Sequence, residues 1–140
     1  MNNNLKQLNQ RGFTLIEIMV VVVILGILAA AVVPKIMSRP EQARIEKNKH
    51  DIGALESALN IYKLDNYQYP STDQGLESLV TKPPGSPQPR NYKKGGYIKK
   101  LNKDPWGQEY LYLFPGTHTD LDLYSLGPDG QPSDDDIGNW

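Results

Sequence analysis

No cysteine occurs anywhere in the 140 residues. That excludes a disulfide framework, the usual staple of a small exported domain, and leaves a bound metal as the alternative source of rigidity. Basic residues are missing from a whole region: no Lys or Arg follows Lys103, where Asp104, Glu109, Asp120, Asp122, Asp129, Asp134, Asp135 and Asp136 lie. So one-sided a distribution argues against a nucleic-acid partner and for a cation at the C-terminal end. Histidine is scarce, and His50 and His118 stand alone without metal-ligand spacing. There is no phosphate-binding glycine loop, and Ser125 lacks the flanking pattern of a nucleophile elbow. No catalytic constellation is present, so an enzyme is not expected. Also missing is the apolar stretch that a secretory signal carries ahead of its cleavage site, because residues 1–12 are polar and basic.

The next segment is apolar. Phe13 to Val33 is 21 residues, interrupted only by Thr14, Glu17 and Gly26, and closed by Pro34. A helix of about 20 residues crosses ~30 Å of hydrocarbon. Glu17 is the anomaly, since an ionised side chain there costs about 2.5–3.5 kcal/mol and marks a function with a partner. Beyond Pro34 the helical pattern continues. Ile45, Ile52, Leu55, Leu59 and Tyr62 recur on one face, and Glu46, Lys47, Lys49, His50 and Glu56 lie on the other. One long helix from about Thr14 to Leu64 is predicted, with a bend between Gly26 and Pro34. Ser71 and Gln74 have the spacing of a capping box ahead of a short helix through Leu76, Leu79 and Val80. Lys82 to Arg90 is a proline-rich loop. Strands are expected at Tyr97–Ile98, Tyr110–Phe114 and Leu121–Leu126, with Pro115-Gly116 as a hairpin turn.

Arg11-Gly12-Phe13-Thr14-Leu15-Ile16-Glu17 resembles the class III signal of type IV pilins and pseudopilins. The resemblance implies cleavage between Gly12 and Phe13 by a prepilin peptidase and methylation of the new Phe13 amine. Glu17 would then neutralise the amine of a neighbouring subunit. The Gly95-Gly96-Tyr97, Asp104-Pro105-Trp106-Gly107, Ser125-Leu126-Gly127-Pro128-Asp129-Gly130 and Asp135-Asp136-Ile137-Gly138-Asn139-Trp140 motifs narrow the likeness. Together they resemble the major pseudopilins of type II secretion systems, the general secretion pathway G family.

That family implies an α+β, type IV pilin-like fold, with a long N-terminal helix packed on a small C-terminal antiparallel β-sheet. Residues 1–12 would be a cleaved leader and 13–33 the transmembrane and filament-core helix. Residues 34–140 would form a periplasmic head: helix to about 64, loops over 65–96, and a β-region with an acidic loop over 97–140. The function implied is that of a structural subunit of the periplasmic pseudopilus, which drives export of folded proteins across the outer membrane. Its partners would be further copies in a helical homopolymer, minor pseudopilins, the inner-membrane assembly platform, the prepilin peptidase, the secretin and exoproteins. Alternatives are a surface type IV pilin or competence pseudopilin, and a membrane-anchored calcium-binding domain that does not polymerise. Lys35, Arg39, Arg44, Lys47 and Lys49 after the apolar run would by count place the N-terminus outside. The family resemblance instead puts the N-terminus in the cytoplasm and the head in the periplasm, as a single-pass inner-membrane protein.

Two charged clusters remain. Asp129, Asp135 and Asp136 flank a Gly130-Gln131-Pro132 bend, and clustered carboxylates repel unless a cation sits between them. The cluster is either a solvated acidic tail or an oxygen-ligand site of the calcium type rather than a zinc site. It is not an EF-hand. The resemblance implies a calcium ion held by the Leu126 carbonyl, Asp129, Asp135 and Asp136, with the Gln131 carbonyl and Ser133 as intermediate ligands. Lys93, Lys94, Lys99, Lys100 and Lys103, with Tyr92 and Tyr97 among them, form either a solvated face or a subunit contact. Lys99 facing Glu56 of the next subunit is the pairing expected in a helical assembly, where it would set register.

Overall fold

The computed structural model describes residues 12–140, the side chains of 32–39 excepted. Among these residues the elements are helix α1 (Leu15–Asn66), a short 3-10 helix (Leu76–Leu79) and strands β1 (Leu111–Leu113), β2 (Asp122–Ser125) and β3 (Ile137–Gly138). The chain divides into two compact units, one ending at Pro40 and one running from Glu41 to Trp140.

In the first unit Thr14 caps α1. Its hydroxyl accepts from the Glu17 N–H at 3.3 Å, and its own N–H donates to the Glu17 carboxylate at 3.5 Å. This reciprocal pair is a capping box. From Leu15 to Leu28 the large apolar side chains are 48% to 82% exposed. A helix apolar on every side finds its burial outside itself, in lipid or in protein. Among the described residues no helix is long and apolar enough to cross a membrane. Val32 and Val33, which complete the predicted span, lie outside the described side chains. The backbone is helical without a break from Leu15 to Asn66, so the stretch from Gly26 to Pro34 is not unwound.

The second unit has a core. Ile52, Leu55, Ala58, Leu59 and Tyr62 of α1 pack against Tyr69, Leu76, Leu79, Tyr110, Leu121 and Leu123. Four of the five residues predicted for the inner helix face are buried, and Ile45 is half-buried. Burial first, then Tyr97 and Tyr92, pushes the Tyr62 phenol up to about 12. α1 ends two residues beyond Leu64, at Asn66. There the Tyr67 N–H donates to the Lys63 carbonyl at 2.7 Å, and Tyr67 takes the left-handed φ of 65° that closes a helix. The buried Asn66 side chain donates to the Tyr62 carbonyl and the Tyr97 hydroxyl, both at 2.9 Å, and accepts from the Asn91 N–H.

The Ser71–Gln74 capping box forms, with bonds of 3.2 and 3.1 Å in the two directions. The helix behind it is shorter than predicted, a single 3-10 segment from Leu76 to Leu79 that excludes Val80. Gly75, at φ 59°, breaks the right-handed path between box and helix.

The sheet is antiparallel in the order β1-β2-β3. Tyr112 faces Leu123, and Ser125 faces Ile137. β1 and β2 pair as expected, but the loop 114–121 joins them in place of a tight turn at Pro115-Gly116, with the Gly116 N–H donating to the Asp120 carbonyl at 3.0 Å. Gly116 is required by close approach, since a Cβ there would sit 2.4 Å from the Thr119 carbonyl oxygen and 2.6 Å from the Asp122 carboxylate. Tyr97–Ile98 is not a strand. Both its N–H groups donate to the Leu79 carbonyl, at 2.7 and 3.1 Å, so none is left to join a ladder. The strand predicted at Tyr110–Phe114 is trimmed to Leu111–Leu113 and the one at Leu121–Leu126 to Asp122–Ser125, and β3 is an addition to the expected elements. Leu121, Leu123 and Ser125 face inward as the alternation requires, but Asp122 is buried too.

Candidate assembly and cation sites

Gly12 and Phe13 precede α1 and are exposed. Glu17 lies in the first turn of the helix, and among the described residues its carboxylate is held by the exposed contact to its own Thr14. Gly12, Phe13 and Glu17 are thus presented outward together, at the start of an uncovered apolar helix.

The acidic loop leaves β2 at Leu126. Its base is rigid, because the buried Asp104 accepts from the Ser125 hydroxyl at 2.6 Å and from the Trp106 and Gln108 N–H groups at 3.0 and 2.8 Å. The Ser125 oxygen in turn accepts from the Gly127 N–H at 3.1 Å. Beyond this, Asp129 accepts from the Gln131 N–H at 2.9 Å. The Ser133 hydroxyl lies between the carboxylates of Asp129 and Asp135. Gly127, next to Leu126, packs on Asp135, whose carbonyl oxygen would lie 2.9 Å from a Cβ there. Three of the predicted oxygen ligands therefore converge, with Leu126 beside them. Asp136 instead accepts from the Ser133 N–H at 3.3 Å. Among the described residues no three acids or histidines close around one point. Calcium takes six to eight oxygens, so Asp129, Ser133 and Asp135 fit as part of a shell that backbone carbonyls must complete.

A second acid arrangement has no counterpart among the sequence expectations. Asp122 is 1% exposed and accepts from the N–H groups of Thr117, His118 and Thr119, the Thr117 hydroxyl and His118 Nδ1, all within 3.1 Å. Burial works against its charge, yet the Thr117 hydroxyl and the Thr119 and Thr117 N–H groups hold its carboxyl well below the usual carboxylate range. His118 stacks on Trp140 with ring centres 4.0 Å apart. Asn139 completes the C-terminal anchor, exchanging bonds with the Leu123 backbone and donating to Glu56 at 3.1 Å.

Glu56 is thus half-buried and already bonded within its own chain. Lys99 is exposed at the mouth of a cavity of about 340 Å3 lined by Asp51, Leu55, Ile98 and Tyr110. The structure does not bring Glu56 and Lys99 together within one copy. Tyr92 and Tyr97 turn inward onto Tyr62, with ring centres 6.2 and 5.2 Å away, so they serve the core and not a base-stacking face. The Trp106 indole N–H donates to Glu41 at 2.9 Å. The Thr14-x-x-Glu17 spacing is the one further signal that sequence could have supplied.

Residues 35–140 match the family described as Type II secretion system (T2SS), protein G, and residues 7–33 match the prokaryotic N-terminal methylation motif. The type II secretion system core protein G of Pseudomonas aeruginosa is 64% identical over 135 residues, covering 94% of this chain and 95% of that protein. The Vibrio cholerae protein of the same name is 58% identical over 139 residues, covering 96% and 94%. The crystal structure of the major pseudopilin from the type 2 secretion system of enterohaemorrhagic Escherichia coli superposes with a TM-score of 0.70 at 51% identity, over 74% of this chain and 92% of that one.

Proposed function

The chain belongs to the type II secretion system protein G family, and from that premise we propose how its parts act. It is a structural subunit of the pseudopilus of a type II secretion system. The observation that carries this reading is the joint match of head and methylation motif, on a chain whose N-terminal helix is apolar all round and uncovered.

Prepilin peptidase cuts after Gly12 and methylates Phe13. The helix from Phe13 to Val33 then holds the subunit in the inner membrane, N-terminus in the cytoplasm and head in the periplasm, until it joins a helical homopolymer. Glu17 exchanges its weak contact with Thr14 for the Phe13 amine of a neighbour, an exchange of one partner for a charged one. Glu56 and Lys99 of successive copies set register. Minor pseudopilins, the assembly platform, the secretin and exoproteins are the further partners. The role is mechanical, and no side chain acts as a catalyst. Intact mass of the protein from membranes with and without the peptidase tests the reading. Loss of residues 1–12 with gain of one methyl group, only when the peptidase is present, is expected. An unprocessed chain in both would reduce the helix to a plain anchor.

In the acidic loop Asp129, Ser133 and Asp135 hold calcium, completed by the Leu126 and Gln131 carbonyls and Asp136. The ion supplies the staple that the missing cysteines cannot. At 100 times its dissociation constant it stabilises the head by about 2.7 kcal/mol. Melting in calcium should exceed melting in chelator, and Asp129→Ala should abolish the gap. Equal melting temperatures for the native protein would sink the site.

A further inference from the structure

The head carries two exposed patches of opposite charge. The first lies at the C-terminal end of α1, where Leu64 and Tyr67 are 76% and 73% exposed. They line a cleft of about 560 Å3 with Lys63 and Tyr69, and the Lys63 ammonium sits 4.4 Å from the centre of the Tyr69 ring. Tyr67 is held at φ 65°, a left-handed conformation that glycine adopts freely and tyrosine does not. An aromatic side chain kept exposed on a strained backbone, where glycine would cap the helix better, points to a contact rather than to folding. The second patch is the C-terminal corner. Trp140 is 49% exposed and shares a cleft of about 350 Å3 with Asp134 and Asp136, in a region of sequence without Lys or Arg.

We propose that these patches are the two halves of one contact between successive copies of this chain. Leu64 and Tyr67 of one copy receive Trp140 of the next, and Lys63 faces Asp134. The inference rests on the polymer reading above. A second copy is the occupant because each patch complements the other and not itself: one is apolar with a cation, the other aromatic with anions. A contact between two different patches repeats without closing and generates an open helical filament, whereas a self-complementary patch would close a dimer and stop growth. Burying Trp140 between Leu64 and Tyr67 also uses the residue types that anchor interfaces, and enclosure raises the strength of the Lys63–Asp134 pair over that of an exposed one.

The test uses the full chain in cells that assemble the pseudopilus, and the absence of native cysteine makes it clean. Lys63→Cys and Asp134→Cys, the pair placed face to face, are introduced together and the filaments oxidised. A covalent ladder reaching beyond the dimer is expected, and either single variant stops at dimer or monomer. Filaments that form without a ladder overturn the docking while leaving the polymer reading intact. If the unaltered chain forms no filaments, the polymer reading falls and the docking with it. Should the cysteine pair itself block assembly, Tyr67→Gly decides. It relieves the strained φ, so the head should melt no lower than before while filament yield drops; an unchanged yield overturns the contact.

Discussion

The two ends of α1 have nearly opposite relations to the rest of the molecule. From Leu15 to Leu28 the large apolar side chains of the helix are exposed, whereas from Ile52 to Tyr62 the inner face is sealed, with Leu59 at 0% and Tyr62 at 1%. Both stretches are helical and apolar in part, so propensity does not distinguish them. The difference lies in where burial comes from. The second stretch alternates faces and needs only one partner surface, which its own sheet provides. The first has no polar face and asks for an apolar environment on every side, which a single small head cannot offer. One element thus carries the fold of the head at one end and is left uncovered at the other.

Truncations of the same kind at the two ends probe this contrast most strongly. Leu59→Ala, at a site with 0% exposure, should cost the head about 2–5 kcal/mol, read as a lower urea midpoint. Ile24→Ala, at a site 50% exposed, should leave the melting of the head unchanged and act on filament yield alone. Similar losses of stability from both would erase the distinction.

A second test asks whether the head depends on a polar anchor as much as on its core. Asp122→Ala strips the acceptor from five donor groups around the 117–119 loop. A cost of about 3 kcal/mol is expected for donors left without a charged partner. The same carboxyl gives the head a pH dependence. It ionises well below the ordinary 3.8 in the folded state, so its contribution is complete above about pH 4 and is lost as pH falls toward the folded value. Denaturation curves at pH 6 and pH 3 should therefore differ less for Asp122→Ala than for the native chain; an equal difference would remove Asp122 as the cause.

The smallest effect should have the opposite sign. Asn48 is fully buried in the helix face that meets the head, and among the described residues neither its amide nitrogen nor its amide oxygen has a partner. An unpaired buried amide costs stability, so Asn48→Leu should raise the melting temperature, by an amount equivalent to about 1 kcal/mol. A drop would mean that the amide is bonded in solution.

Much of the fold is legible in the order of residues. The inner face of α1, the Ser71–Gln74 capping box and the inward side of β2 all come from spacing, because those rules involve only near neighbours in sequence. Departures arise where a residue answers to a distant one. Tyr97 and Ile98 have strand-forming side chains, yet the Leu79 carbonyl takes both their N–H groups. Asp122 sits at an outward position of an alternating strand, yet the loop before it folds back and supplies the donors that keep it charged inside. β3 is two residues long, too short to leave a pattern, and it exists because Asn139 bonds to the Leu123 backbone.

Residue order is enough to establish the apolar helix, the N-terminal methylation motif over residues 7–33, and the separation of basic from acidic segments. Each of these is a property of consecutive residues and needs no fold to be true. Only folding brings Asp129, Ser133 and Asp135 together with Asp136 on the Ser133 N–H, and only folding bonds Glu56 to Asn139. It also places Asp122 in a cage of N–H groups. Those outcomes depend on which backbone donors and carbonyls the closed fold leaves unsatisfied, and that accounting exists only once the chain has folded.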